Sequence, residues 1–396
     1  MLYHLFEYLK GLGYDFPGIG LMQYISFRSL CCAVFAILSA WLLGNKTINY
    51  LRKRQIGETV RDLGLEGELQ KKGTPTMGGV IIIISVLIPT LLFCDLSNTN
   101  IILLTVTTIW LGLLGFADDY IKVFKKNKDG LSPKAKLVAQ LALGLVVGAT
   151  LYLTSEQGIS YSHTTIPFFK GNEFDYKWLI PGSGPIVRAL QGVLYVLIIA
   201  FITTACSNGT NLADGMDGLT TGVSAVVGAS LGILAYLSGH TGIAEYLNIM
   251  HLPDVGEVTV FSVAFVGALL GFLWYNCFPA QIFMGDTGSL TLGGIIAVMA
   301  VLIRKELLLP ILCGIFLVES LSVMAQRVYF KYTKKKTGTG VRIFRMAPLH
   351  HHYQKENPDA LLQHPKKIQP ENRIVVRFWI VSILLAVFTI VTLKIR

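Results

Sequence analysis

Five carboxylates stand in or beside apolar stretches of this chain, and their settings suggest a single site. Asp118-Asp119 closes an apolar run within GFADDYIKV, Asp214 and Asp217 lie in NGTNLADGMDGL, and Asp286 lies in FMGDTGS. Ionised groups so placed are costly and point to function by default. A carboxylate pair at a helix C-terminus also opposes the helix dipole and wants a compensating cation. The plainer alternative is a solvated helix end. Asn211, Asp214 and Asp217 are spaced by three, so they share one face if their segment is helical. In a Gly-rich turn they are ordinary loop chemistry. The turn around Asp286, flanked by Gly285, Thr287, Gly288 and Ser289, would offer backbone N–H groups to a phosphate. Alternatively, Asp286 simply caps a helix.

Two further segments are unusual between apolar runs. KKGTPTMGG, residues 71–79, joins Lys71 and Lys72 to a Gly/Thr-rich turn, a combination suited to a diphosphate. MAPLHHHY carries His350, His351 and His352 in succession. Consecutive side chains cannot all face one point, so one or two of these histidines carry a role and the rest pack. Acidic groups suit a divalent cation, and Mg²⁺ takes carboxylate and phosphate oxygens. A metal and lysines together neutralise a diphosphate leaving group. At membrane depth the natural nucleophile is a lipid phosphate. These residues therefore point to phosphoryl transfer from a soluble nucleotide-activated donor to a lipid phosphate.

The elements that must position them are membrane helices. The chain has 396 residues, 53% hydrophobic and only 15% charged, with a mean hydropathy of +0.57. So few charges cannot cover a soluble globule, and the composition excludes disordered, collagen-like and disulfide-scaffold chains. Apolar runs near 21–43, 77–95, 100–118, 135–154, 186–206, 218–238, 259–278, 288–303, 307–328 and 375–394 give about ten transmembrane helices in one all-α polytopic membrane domain over 1–396. Arg28 falls inside the first run. Of the 34 Lys and Arg residues, 24 sit in the loops after the first, third and ninth runs. The other side, both termini included, holds nine, among them Arg304 and Lys305. Positive charge marks the cytoplasmic side, so both termini are expected outside the cytoplasm and all five aspartates on its inner face. The net charge of +10 thus reports topology and anionic lipid rather than nucleic acid.

Segment 155–185, with its Pro, Gly and aromatic residues, reads as a short extracytoplasmic hairpin or coil. The N-terminal residues lack the basic lead of a signal peptide, so the first apolar run reads as a retained helix. The six cysteines show no CxxC and no zinc spacing and read as small buried hydrophobes. An ion-coupled transporter would hold its carboxylates near mid-span in two matching halves. Here they lie at the ends of runs, and no half-repeat is visible.

KKGTPTMGG, GFADDYIKV, NLADGMDGL, FMGDTGSL and MAPLHHHY, in this order and between spans, resemble the phospho-N-acetylmuramoyl-pentapeptide transferases. These are a branch of the polyprenyl-phosphate N-acetylhexosamine-1-phosphate transferases. The resemblance covers roughly 45–396. The Asp-Asp, NxxDGxDGL and GDTGS elements place the superfamily, whereas TPTMGG and APLHHHY select the branch and argue against a simpler GlcNAc-1-phosphate transferase.

The resemblance implies a multi-pass protein of the bacterial cytoplasmic membrane, with its active site on the cytoplasmic face. It implies Mg²⁺-dependent transfer of phospho-MurNAc-pentapeptide from UDP-MurNAc-pentapeptide to undecaprenyl phosphate, giving lipid I and UMP in cell-wall synthesis. The catalytic positions it implies are Lys71, Asp118, Asp119, Asp286, His350 and His351. Asp286 and Asp119 would hold the metal, and Asp118 would deprotonate or orient the lipid phosphate. Lys134 in LSPKAK would be a second lysine near the phosphates. Asn211, Asp214, Asp217, Asn276, Phe283 and His352 would bind substrate, with Phe283 able to stack on uracil. A homodimer is compatible with the sequence. Three departures stand out: VRDLGLEGELQ lacks an expected Gly-Pro and His, Gln354 replaces a usual Glu after HHHY, and the stretch from Lys355 to Asn372 is long.

Overall fold

A computed structural model describes residues 1–14, 18–53, 71, 73–125, 127, 129–154, 162–169 and 173–393. Arg54, Arg61, Lys72, Lys126, Lys128, Lys170, Lys394, Arg396 and the segment 60–70 lie outside the described residues. A short helix α1, Leu2–Gly11, precedes the long helix α2, Ile25–Lys53. Then come α3, Gly79–Phe93, α4, Thr99–Val123, and α5, Pro133–Leu153. Of the hairpin or coil expected between 155 and 185, the hairpin is seen: β1, His163–Thr165, runs antiparallel to β2, Glu173–Asp175. Helices α6, Pro185–Ala213, α7, Leu219–Gly239, and the short α8, Thr241–Leu247, follow. The chain continues with α9, Gly256–Asn276, α10, Gly285–Leu302, α11, Leu309–Leu312, and α12, Gly314–Thr337. The one-turn helix α13, Leu349–His352, and α14, Glu371–Thr392, close the fold.

By length and composition, eight described helices could cross a bilayer: α2, α4, α5, α6, α7, α9, α10 and α14. The pair Glu306–Leu312 and Gly314–Thr337 passes the same test jointly, although it is bent by 74°. Helix α3 is apolar but has only 15 residues. Each of the ten apolar runs falls on one of these helices, but several ends move. Helix α2 runs ten residues beyond its apolar run, carrying Lys46, Arg52 and Lys53 on its last turns. Helix α4 continues to Val123, so Asp118-Asp119 lie within it rather than at its end. Local sequence explains other ends. The Asn98 side chain accepts from Asn100 N–H at 2.8 Å to start α4, and Ser132 followed by Pro133 starts α5.

Helix α10 is the centre of the bundle: every residue from Thr287 to Leu302 is buried, with α4, α6, α3 and α7 around it. Its sequence, TGSLTLGGIIAVMAVL, is small enough for neighbours to approach closely. Gly115 of α4 is the clearest instance, since a Cβ there would lie 2.3 Å from the Asp286 carbonyl oxygen. Helices α2, α5, α6 and α14 expose much of their apolar surface and form the rim.

The charges at the far end are internally matched. Arg28 is buried and its guanidinium meets Glu257 of α9 in two bonds of 2.8 and 2.5 Å, which explains a charge inside an apolar run. Lys305 is fully buried and donates to the Thr165 hydroxyl at 2.7 Å, so it seals the hairpin to the end of α10 instead of facing water. The six cysteines are all free, and five are buried or partly so. Cys277 is exposed, against the expectation that all six are buried.

Candidate active site

The chemistry-bearing segments meet at the opposite end of the bundle, where α4 and α6 finish and α3, α5, α10 and α14 begin. Carboxylate oxygens of Asp118, Asp119 and Asp286 lie within 4.8 Å of one another. Two helices hold them. Asp118 and Asp119 sit in the last turns of α4, and Asp286 sits in the first turn of α10.

Asp119 is the cap of α10. It accepts from Asp286 N–H at 3.1 Å, Thr287 N–H at 2.9 Å and the Thr287 hydroxyl at 2.6 Å. Two backbone donors of the GDTGS turn, those of Asp286 and Thr287, are therefore committed to a protein carboxylate, not left open for a phosphate. A buried anion at a helix N-terminus is favoured by the dipole as well as by these bonds. Asp118 is fully buried. It accepts from Leu131 N–H at 2.7 Å and pairs with Lys122 at 2.6 Å and Lys136 at 2.9 Å. The same two lysines reach Asp286, at 3.1 and 2.6 Å. Asn211 donates to Asp286 at 3.0 Å and to Ser289 at 2.9 Å.

The compensating cation that the Asp-Asp pair required is thus Lys122, one helical turn after Asp118. Sequence reasoning passed over it, although DDYIK shows the i,i+4 spacing. Lys134 is exposed in the first turn of α5, and it is Lys136, two residues on, that enters the cluster. The cap at Ser132 sets this phase of the helix, and spacing to the motif alone did not reveal it.

A second cluster adjoins the first. Lys71 is held between Asp217 at 2.7 Å and Glu371 at 2.6 Å. Burial would lower its pKa, but the Glu371 and Asp217 carboxylates outweigh burial and hold it above the ordinary lysine value. Its Nζ lies 6.0 Å from the centre of the Phe283 ring. Asp217 also accepts from Ala280 N–H at 3.0 Å, and Glu371 accepts from Asp217 N–H at 2.7 Å. Helix α6 ends at Ala213, so Asn211, Asp214 and Asp217 do not share a helical face. Asn211 serves the aspartate cluster, Asp214 follows the last turn, and Asp217 serves Lys71. Asn276 accepts from Gly218 N–H and the Thr221 hydroxyl and donates to the Ile282 carbonyl, tying this turn to the loop before Asp286. Glu371 carried no motif signal, because only the approach of α14 makes it a partner of Lys71.

The histidines divide as their succession requires. His350 is fully buried, with Nδ1 3.2 Å from Glu319 of α12. His351 pairs with Gln354 at 3.1 Å, and Gln354 donates to Glu371 at 3.3 Å, so a glutamine bridges the histidine turn to the lysine cluster. Burial and the adjacent His350 push the His351 pKa down to about 3. His352 accepts from Arg345 N–H at 3.1 Å, and its Nε2 meets the His364 carbonyl at 2.7 Å. Burial lowers its pKa too, consistent with a neutral ring that packs the long 355–372 stretch.

Comparison with known proteins identifies the family. Residues 101–304 match the Glycosyl transferase family 4 model, and residues 71–83 match the phospho-N-acetylmuramoyl-pentapeptide-transferase signature 1. The chain is 54% identical to the phospho-N-acetylmuramoyl-pentapeptide-transferase of Parabacteroides distasonis, with all of both chains covered. It is 55% identical to that of Azobacteroides pseudotrichonymphae and 53% identical to that of Porphyromonas gingivalis, again over all of both chains. Lys71 opens the signature, and the family match spans Asp118, Asp119, Asp217 and Asp286. With its carboxylates, lysines and membrane helices so arranged, the chain belongs to the phospho-N-acetylmuramoyl-pentapeptide-transferase family.

Proposed function

We propose that this chain transfers phospho-MurNAc-pentapeptide from UDP-MurNAc-pentapeptide to undecaprenyl phosphate, giving lipid I and UMP. The observation that carries the reading is the cluster of Asp118, Asp119 and Asp286 with Lys122 and Lys136 between them, beside the Lys71 cluster. Three convergent carboxylates are the donor set a hard divalent cation prefers, and Asp286 with Asp119 would hold Mg²⁺ there. When bound, the cation would neutralise charge on the diphosphate.

The protein's own groups do the remaining work. Lys122 and Lys136 bring two positive charges to the point where diphosphate oxygens must sit. Asp119 keeps Asp286 in place by capping α10, and Asn211 orients it. Lys71 and Phe283, side by side, suit the nucleotide, with Asp214, Asp217, Asn276 and the histidines shaping that side. An oxygen of the lipid phosphate bonds to the sugar-linked phosphorus as the bond to the bridging oxygen breaks and UMP leaves with the electron pair. Asp118 is buried, bonded by Leu131 N–H and ion-paired with Lys122 and Lys136, which favours direct displacement over attack by that carboxylate.

The same reading has one membrane domain crossing ten times, both termini outside, and the site on the cytoplasmic face of the bacterial inner membrane. The distribution of Lys and Arg supports this orientation. A homodimer belongs to the reading and is tested by cross-linking in membranes. For the reaction, UMP release by the purified protein is measured with both substrates, with and without Mg²⁺. Release that needs the cation is expected. Turnover without any divalent cation overturns the metal site, and absence of UMP overturns the reaction.

A further inference from the structure

One buried carboxylate has no part in the two clusters above. Glu319 lies in α12 with no exposed surface. An unpaired carboxylate in such a place costs several kcal/mol. The side chain it meets is that of His350, itself fully buried: its Oε2 is 3.2 Å from Nδ1, and its two oxygens lie 3.1 and 3.3 Å from the His350 backbone N–H. The one-turn helix α13, which carries the histidine motif, is therefore fastened to α12 at both the main chain and the ring of its second residue.

The other ring nitrogen points the opposite way. His350 Nε2 rests on Gly215, between Asp214 and Asp217, where an added Cβ would come within 2.2 Å of it. Both ring nitrogens are buried and neither makes a hydrogen bond among the described residues: Nδ1 faces the Glu319 carboxylate at ion-pair distance, and Nε2 faces only Gly215. The Glu319 carboxylate facing Nδ1, together with its bonds to the His350 backbone N–H, limits how the ring can turn. The remaining nitrogen is then presented in a set direction, towards the 214–217 turn.

We propose that Glu319 is a positioning residue of the donor site, which holds His350 through its backbone N–H and the Nδ1 side of its ring and so aims Nε2 at the 214–217 turn. Glu319 touches no substrate and acts only through His350. The inference rests on the reading of His350 as part of the UDP-donor site.

The test compares Glu319→Gln, Glu319→Asp, His350→Gln and the Glu319→Gln/His350→Gln double variant, by steady-state UMP release and by melting in detergent. Losing an orienting partner of this type costs about 10- to 100-fold in activity. Glu319→Gln is expected to lose that much in kcat/KM for the UDP donor, with an unchanged KM for the lipid. Glu319→Asp, which keeps the charge, should recover part of the loss. The double variant should be no worse than His350→Gln alone, because one interaction is removed twice. Losses that multiply in the double variant overturn the proposal. So does a Glu319→Gln enzyme that melts lower but retains its kinetic constants. If Glu319→Gln does not fold, Glu319→Asp alone decides, and wild-type kinetics there count against the proposal. Full activity of His350→Gln would instead overturn the placement of His350 in the donor site, and this inference with it.

Discussion

Thr287→Val separates holding Asp286 from binding a metal. The Thr287 hydroxyl donates to Asp119 at 2.6 Å, and both residues are buried. Valine keeps the branched shape and the backbone N–H bond at 2.9 Å, and removes only the hydroxyl. A hydrogen bond to a charged acceptor contributes roughly 1.5–3 kcal/mol. If that energy keeps the first turn of α10, and so Asp286, in place during the reaction, kcat/KM should fall roughly 10- to 150-fold at about 1.4 kcal/mol per tenfold. Thr287→Ser retains the hydroxyl and most of the activity. The assay is UMP release at saturating lipid phosphate, with Mg²⁺ titrated for each variant. A valine enzyme that stays folded and keeps the wild-type kcat/KM and Mg²⁺ dependence would refute the claim that Asp119 works by capping α10.

Other outcomes follow from the same geometry. Lys136→Ala should lose at least tenfold in kcat/KM because Lys136 pairs with both Asp118 and Asp286, whereas Lys134→Ala, on an exposed side chain, should change activity little; equal losses would refute the distinction. His351 has a folded-state pKa near 3 against an ordinary 6.5, so its contribution to stability is complete above about pH 6.5 and declines as pH falls towards 3. At pH 5.5 the loss is about 1.4 kcal/mol, and a lower melting temperature in detergent that His351→Gln abolishes is the expected result. Arg28→Ala leaves Glu257 buried without its partner and should cost about 3–5 kcal/mol, read as a large drop in melting temperature.

Much of this was legible in the residues. Apolar runs of bilayer length, broken by loops rich in Lys and Arg, determined a mostly helical membrane protein, because only helices or closed barrels satisfy the backbone in lipid. The motifs named Asp118, Asp119, Asp286 and Lys71, since carboxylates and cations beside apolar runs are too costly to be incidental. What the sequence could not settle is which charge meets which. Lys122 is readable from its i,i+4 spacing, but Lys136 rather than Lys134 depended on how α5 is phased by its cap. Glu371 lies 300 positions from Lys71, and Glu319 lies 31 from His350, so neither pair follows from local spacing. The GDTGS turn looked ready for a phosphate until Asp119 was found on its N–H groups. Local pattern selects elements because propensity and periodicity act over a few residues. Partners of buried charges are chosen by how helices far apart in sequence cross, and only the tertiary structure decides that.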